Sequence, residues 1–464
     1  MKTDQHRFSV IIAVMNALPV TKMCIECLRK NIADKDAEII VIDNASTDGT
    51  AEWLQEQSDI HVITNKEPHG LAASFNQGIS VAAGDTLLFM HNDTYLMPET
   101  IARLEHILYR TDKIGAVMPV TNRHLLPING FFHEINEYNT LDGAEEEAKR
   151  LWENWADETS GQLLLEDYCL LVRREAMEEV NGFDEQFAVR YGEDLDLSLR
   201  LVEKGRKLLR AEGVFVHHQG GTTFKANQLN IDKAVDMFIR MLYEKWGFFV
   251  LYSGSIRHDL LSEVDLNKKD LAVLDIGCAM GANLAFLKNL RPDARLCGIE
   301  LNPLSAALAA KSGEVKAADV EKLDIPEWEG TFDYIIMGDI LEHLREPKEV
   351  IIKVRKLLKP EGALLVSLPN VMNVEVVFNL LAGGWHYDDF GVLDRTHLRF
   401  FTRREMEAMF TEAGYSFEIF GGSKTIIPEQ GEKFLAELEK LQTVKVDIEQ
   451  MRYLQYFIKA IPIK

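Results

Sequence analysis

At 464 residues the chain has room for roughly two or three domains, each with its own core. The composition, 47% hydrophobic and 27% charged with no low-complexity tract or repeat, is that of an ordinary globular protein. A formal net charge of -22 argues against a broad nucleic-acid surface, because phosphates would be repelled. It leaves room for nucleotides, whose phosphates a metal or a helix N-terminus can screen locally.

The opening stretch MKTDQHRFSVIIAVMN runs into an apolar segment of strand length and carries no signal-peptide architecture. No run approaches the roughly 20 apolar residues that span a bilayer, so the cytoplasm is the expected location. The five cysteines are scattered. Cys24 and Cys27 form a CxxC within an amphipathic helical stretch, with no second pair, and read as core residues rather than a metal or redox site.

Residues 7–90 alternate the runs FSVIIAVMN, AEIIVIDN, IHVITN and DTLLFMHND with helical stretches, the pattern of an α/β domain with a largely parallel sheet. In such sheets ligands gather beyond the carboxyl ends of strands. Asn16 closes the first run and Asp43-Asn44 the second, followed by the turn and helix start ASTDGT; His91-Asn92-Asp93 closes another. A carboxylate at a strand end can coordinate a divalent metal, and the metal can hold a diphosphate. Further on, YGEDLDLSLRLVEKG is ambiguous. Its leucines alternate as in a half-buried strand, whereas Glu193, Asp194 and Asp196 at its start and Gly205 at its close suit a helix with acids at its positive end.

Over roughly residues 7–247 these motifs, in this order, resemble the family 2 glycosyltransferases of the GT-A fold. SVIIAVMN, IIVIDNASTDGT, NQGISVAAGDTLLFMHNDT, GFDEQFAVRYGEDLDLSLRLVEKGRKL and VFVHHQGGTTF carry the likeness. The resemblance implies a nucleotide-diphosphate-sugar site formed by Asn16, Asp43, Asn44 and Asp93, with Asp43 on the base and Asp93 on a Mn or Mg ion bound to the diphosphate. His218, with His217 as the alternative, would be a further ligand. The usual metal motif has two acids around a middle residue, whereas His91-Asn92-Asp93 offers one, so weak metal affinity is expected. An inverting transfer needs a base for the acceptor hydroxyl; the resemblance assigns this to Asp194, with Glu193 holding the acceptor or tuning its neighbour.

A second alternating series, LAVLDIGC, ARLCGIEL, FDYIIMGDI and GALLVSLP, begins after MFIRMLYEKWGFF and YSGSIRH. Gly277 and Gly281 in VLDIGCAMGANL sit at a strand-to-helix turn behind Asp275. Glu300 ends the next strand, where a carboxylate can accept bonds from two ribose hydroxyls, and Asp319 is placed to meet an adenine amino group. A nicotinamide-binding fold competes less well, because its third glycine spacing is missing. The order resembles class I S-adenosylmethionine-dependent methyltransferases over roughly residues 257–420, with Ala279 where the family often has glycine. In GDILEHLREP, Asp339, Glu342 and His343 would share a helical face if a helix begins there. The trio resembles the acid-acid-histidine metal site of some small-molecule O-methyltransferases; capping by Glu342-His343, or His343 as a lone general base, are the alternatives. DDFGVLDRTHLRFFTRREMEAMFTEAGY resembles the last segment of sugar-pathway methyltransferases, which places Asp394 and His397 in the acceptor pocket; His397 bonded to backbone in a core is the alternative.

The expected organisation is α/β throughout: a GT-A domain over 1–250, a Rossmann-like class I methyltransferase domain over 251–425 and a helical C-terminal tail over 426–464. The tail ends in MRYLQYFIKAIPIK and is expected to pack on the protein or to join a homo-oligomer, with peripheral contact at the inner face of the membrane as the alternative. The expected function is bifunctional: sugar transfer to a glycan or lipid-linked acceptor, and methylation of a sugar hydroxyl with S-adenosylmethionine. A glycosyltransferase with a non-catalytic docking half, or a methyltransferase with a silent glycosyltransferase half, are the alternatives.

Overall fold

The four apolar runs at the start of the chain fold as a parallel set, β1 (Phe8–Val14), β2 (Ala37–Asn44), β3 (Ile60–Asn65) and β4 (Thr86–His91). β1, β2 and β4 are buried over most of their length, which suits aliphatic strands covered on both faces. The computed structural model describes residues 7–123, 135–138, 140–187, 192–227, 231–441, 443 and 446–463. By its internal contacts the chain divides into two units, one up to Ile256 with Met280–Leu290, the other Arg257–Ala279 with Arg291–Lys464.

In the first unit β5 (Thr94–Leu96), β6 (Ile114–Thr121), β7 (Thr159–Gln162), β8 (Cys169–Arg173) and β9 (Lys207–His218) extend the sheet in the order β3-β2-β1-β4-β8-β6-β9-β5, with β7 also on β9. Parallel register sets Val14 beside Asp43 and Ala13 beside His91, so the polar strand ends line up. Antiparallel pairing of β5 with β9 sets Thr94 opposite His218. The ambiguous acidic stretch is a helix, Glu193–Glu203. Leu195, Leu197, Leu199 and Leu201 are all buried because this helix is enclosed on nearly every side, which is why its leucines mimic a strand's alternation. Gly192 precedes it at φ 92, and a Cβ there would press on the Phe187 and Phe238 rings. All five thiols are free, and Cys24 lies in the core, as expected.

The second unit holds β10 (Ala272–Ile276), β11 (Arg295–Glu300), β12 (Glu314–Ala317), β13 (Phe332–Gly338), β14 (Leu358–Pro369), β15 (Tyr415–Lys424) and β16 (Tyr453–Pro462) in the order β12-β11-β10-β13-β14-β16-β15. β10 to β14 pair in parallel, while β16 is antiparallel to both β14 and β15.

This corrects the expected helical tail. Glu429–Leu438 and Ile448–Met451 are helical, but the last apolar segment is an interior strand. Tyr456, Ile458 and Ala460 are buried while Phe457 and Lys459 are half-buried and Ile461 is exposed, a period of two that mixed charge upstream obscured. With β14 and β15 paired on its two sides, the segment packs on the protein itself, the first of the two roles expected of it. Among the described residues no helix is long and apolar enough to cross a membrane.

The strand assignment predicts that Ile458→Ala costs about 2–5 kcal/mol in chemical denaturation followed in the second unit. Ile461→Ala, exposed on the same strand, should stay within about 0.5 kcal/mol of the parent. Equal, silent behaviour of the two variants would mean that the segment is not part of the sheet.

Candidate active sites

At the carboxyl end of β2 the Asp43 side chain is buried; its Oδ1 accepts from the Ser46 amide at 3.3 Å. Its Oδ2 has no hydrogen-bond partner among the described residues. A buried carboxylate oxygen in that state suits a ligand that brings its own N–H. The neighbouring asparagines build the frame instead. Asn16 accepts from the Thr47 amide at 2.8 Å and donates to Asn227 at 2.7 Å. Asn44 donates to Ser74 at 2.8 Å and accepts from Asn65 at 2.9 Å.

The strand ends of β4 and β9 bring His91, Asp93 and His218 together, with one potential ligand atom from each within 4.8 Å of the others. His218 Nε2 lies 3.3 Å from Asp93 Oδ1, and its ring stacks on Tyr168. Burial alone would raise the Asp93 carboxyl, but His218 and His91 overcome it and hold the group well below the usual carboxylate range. His91 bonds through Nε2 to Asp167 Oδ1 at 2.8 Å. Burial would lower its pKa, yet Asp167, Asp93 and Asp194 together raise it to about 9. The missing acid of the metal motif is thus replaced by a histidine with a carboxylate behind it. His217 points elsewhere: it stacks on Tyr95 and bonds to the Tyr138 hydroxyl at 2.7 Å, so the structure keeps it out of the cluster.

Asp194 opens the Glu193–Glu203 helix, and its Oδ1 accepts from the Leu195 amide at 2.8 Å. Burial, with the charges of Asp167 and Glu166, pushes its carboxyl well above the ordinary value. A raised pKa makes the ionised carboxylate the stronger proton acceptor. Glu193 beside it is buried. Asp196 is structural, paired with Arg200 at 2.7 Å and Lys245 at 2.6 Å.

In the second unit a cavity of about 760 Å³ is lined by Gly277, Glu300, Asp319, Ile340, His343 and Leu398, among others. Gly277 turns the chain out of β10 at φ 71, and a Cβ there would lie 2.0 Å from Ile340 Cδ1. Asp275, buried, precedes it. Ala279 adopts φ 47, a left-handed conformation that costs a residue with a Cβ about 1–2 kcal/mol. Its amide donates to Glu300 Oε2 at 2.9 Å, and Asn302 donates to Oε1 at 2.7 Å. Each oxygen retains acceptor capacity toward the cavity. Asp319 is paired with Lys322 at 2.8 Å.

The expected Asp339-Glu342-His343 trio does not form. Leu341–His343 is a single 3-10 turn, preceded by Asp339 at φ 53, so no α-helical face is shared. Asp339 is spent on Arg257 at 2.8 Å and Ser367 at 2.6 Å. The ligand atoms that do cluster within 4.8 Å belong to Glu342, His343 and His397. Glu342 is buried, its Oε2 has no partner among the described residues, and burial reinforced by Asp339 raises its carboxyl well above the usual range. Burial and His397 lower His343, which leaves it neutral at neutral pH. His343 Nδ1 lies 3.2 Å from Thr396 Oγ1, whose hydroxyl also bonds Asp394 at 2.6 Å. His397 bonds to the Val392 carbonyl at 3.0 Å, the backbone bond expected as the alternative, and its ring meets His343 at 4.8 Å.

Residues 9–167 match the family model described as Glycosyl transferase family 2, and residues 251–418 match the one described as Methyltransferase domain. The chain joins a family 2 glycosyltransferase domain to a methyltransferase domain. The glycosyltransferase domain is similar to the uncharacterized glycosyltransferase YfnE of Bacillus subtilis strain 168, 25% identical over 47% of this chain and 66% of that protein. It is 27% identical to the O-antigen biosynthesis protein RfbC of Myxococcus xanthus over 47% of this chain and 18% of RfbC. The methyltransferase domain is 32% identical to the ubiquinone biosynthesis O-methyltransferase of Xanthomonas oryzae pv. oryzae strain PXO99A, over 25% of this chain and 55% of the relative. The chain therefore spans no more than 66% of any of these relatives.

Sequence reasoning missed His91 as a member of the glycosyltransferase cluster, and Glu166 and Asp167 beside Asp194. The signal for Glu166 and Asp167 was LLLEDYCL, two acids between short apolar runs, just before the amino end of β8. For the methyltransferase domain it missed that His397 stands where Asp339 was expected. The glycine turn supplies a test. Gly277→Ala should destabilise this domain by about 1–3 kcal/mol in thermal or chemical unfolding, because conformation and space both oppose it. Ala279→Gly, relieving φ 47, should hold or raise stability. The opposite order would refute the assigned turn.

Proposed function

We propose a bifunctional enzyme of surface-polysaccharide or glycolipid assembly, in which the first domain adds a sugar with inversion and the second methylates a sugar hydroxyl. The observation that carries the second half is one cavity lined by Glu300, Asp319 and a neutral, half-buried His343. The name of RfbC supports the polysaccharide setting.

In the glycosyltransferase domain Asp43 would receive an N–H of the nucleotide base. His91, Asp93 and His218 fit a divalent cation, which would neutralise the diphosphate as it departs. Two imidazoles and one carboxylate favour Mn2+ over Mg2+, which prefers oxygen ligands. Asp167 would orient His91 from behind. The acceptor hydroxyl attacks the anomeric carbon and gives its proton to Asp194, while the bond to the diphosphate breaks with its electron pair on the leaving oxygen.

In the methyltransferase domain Glu300 would accept from ribose hydroxyls and Asp319 from the adenine amino group. Bound there, S-adenosylmethionine would supply an electrophilic methyl group whose sulfur would keep the bonding pair on transfer. His343 would take the hydroxyl proton through Nε2, since Nδ1 faces Thr396. Glu342 and His397 complete a set that could instead bind a second divalent metal. Covalent linkage raises the effective concentration of one product near both activities.

The test is mass spectrometry of the source strain's glycans with single substitutions. Asp275→Ala should leave the sugars and remove a methyl group. Asp194→Asn should remove the added sugar, with kcat of the purified chain down about 10²–10⁴-fold. An unchanged glycan in the Asp275→Ala strain would end the bifunctional reading.

A further inference from the structure

Beyond the methyl-transfer cavity a chain of aromatic rings runs out to the surface of the second unit. His343, on the cavity wall, meets His397 at 4.8 Å between ring centres. His397 meets Phe400 at 6.3 Å, and Phe400 meets Trp385 at 5.4 Å and Tyr387 at 6.3 Å. Trp385 is 37% exposed, Tyr387 51% and nearby Phe390 65%. A surface segment showing water this much aromatic area is unusual unless a ligand covers it.

We propose that Trp385 and Tyr387, held by Phe400, form a stacking platform for a glycan whose terminal hydroxyl reaches His343. The proposal rests on the methyltransferase reading above and names the substrate class of that site. A pyranose has an apolar face of C–H bonds and a rim of hydroxyls, so it is matched by flat amphipathic rings with acceptors beside them. The segment WHYDDF has that chemistry: Asp388 and Asp389 follow Tyr387 directly, and Asp394 lies just beyond. Asp389 is paired with Arg395 at 2.8 Å, which leaves Asp388 as the unshared carboxylate next to Tyr387 in sequence.

The loop is also fixed to the reacting end. The Glu342 carbonyl accepts from the Leu398 and Arg399 amides at 2.8 and 3.0 Å. The position of the rings relative to His343 is therefore set by the fold.

The experiment replaces Trp385 in the full-length chain in the source strain and reads methylated sugars by mass spectrometry, beside an Asp275→Ala strain. Trp385→Gln should retain the sugars and lose the methyl group, while Trp385→Phe, which keeps a ring, should retain it. The purified Trp385→Gln chain should bind S-adenosylhomocysteine as the parent does. If it does not, Tyr387→Ser replaces it under the same criteria. Loss of the methyl in Asp275→Ala but not in the ring variants overturns the platform alone. Equal loss in the Gln and Phe variants, with S-adenosylhomocysteine binding intact, overturns stacking. A methyl group that persists in Asp275→Ala removes the underlying reading and the platform with it. An intact methyl glycan, with loss of co-flotation on phosphatidylglycerol–phosphatidylethanolamine vesicles, would assign the rings to lipid instead.

Discussion

Parallel strand pairing is the constraint on which both halves depend. A parallel register points the carboxyl ends of neighbouring strands the same way, and the residues just past those ends meet whatever their separation in sequence. Pairing of Val14 with Asp43 and of Ala13 with His91 gathers one set from positions spread over about 80 residues. In the second sheet Ile276 pairs with Ile299, which brings Gly277 beside Glu300. There the amides of Gly277 and Cys278 both bond the Ile299 carbonyl, fixing the turn against the strand that carries the carboxylate.

Gathering carboxylates in this way has an electrostatic cost, and the two halves answer it differently. Asp43, Asp93, Glu166, Asp167 and Glu193 are all buried in the first unit, and Asp194 is nearly so. Charges in a poorly solvating interior need partners. Here His91 and His218 supply part of the compensation, with geometry suited to a divalent cation for the rest. The second unit uses a fixed ion pair instead: Arg257 pairs with Asp339, while Glu342, His343 and His397 gather their ligand atoms within 4.8 Å of one another. One consequence is a division of labour between similar residues. Asn44 and Asp339 hold the frame, whereas Asp43 and Glu342 keep a buried oxygen without a partner among the described residues.

Much of this was legible in the sequence because strand ends announce themselves: a short apolar run followed at once by polar residues. Asp43, Asp93, Asp275 and Glu300 were found that way. Helix or strand could not be decided from spacing for the 195–201 leucines, because burial on all sides erases the helical period. The last strand was misread for the converse reason, its period of two lying behind a charged helical segment. Partners distant in sequence were invisible: nothing near Asp339 foretells Arg257, and nothing near His91 foretells Asp167. His217 and His218 are adjacent in sequence but face opposite ways on a strand, so only pairing with Thr94 decided between them.

The central claim is that each sheet's strand-end carboxylates hold that sheet's own ligand. Isothermal titration of the full chain with S-adenosylhomocysteine, and separately with a Mn2+–nucleoside diphosphate, tests it most directly. Glu300→Ala should abolish binding of the first and leave the second unchanged, and Asp93→Ala should do the reverse. Loss of both ligands from either single substitution, or of neither, would contradict the account.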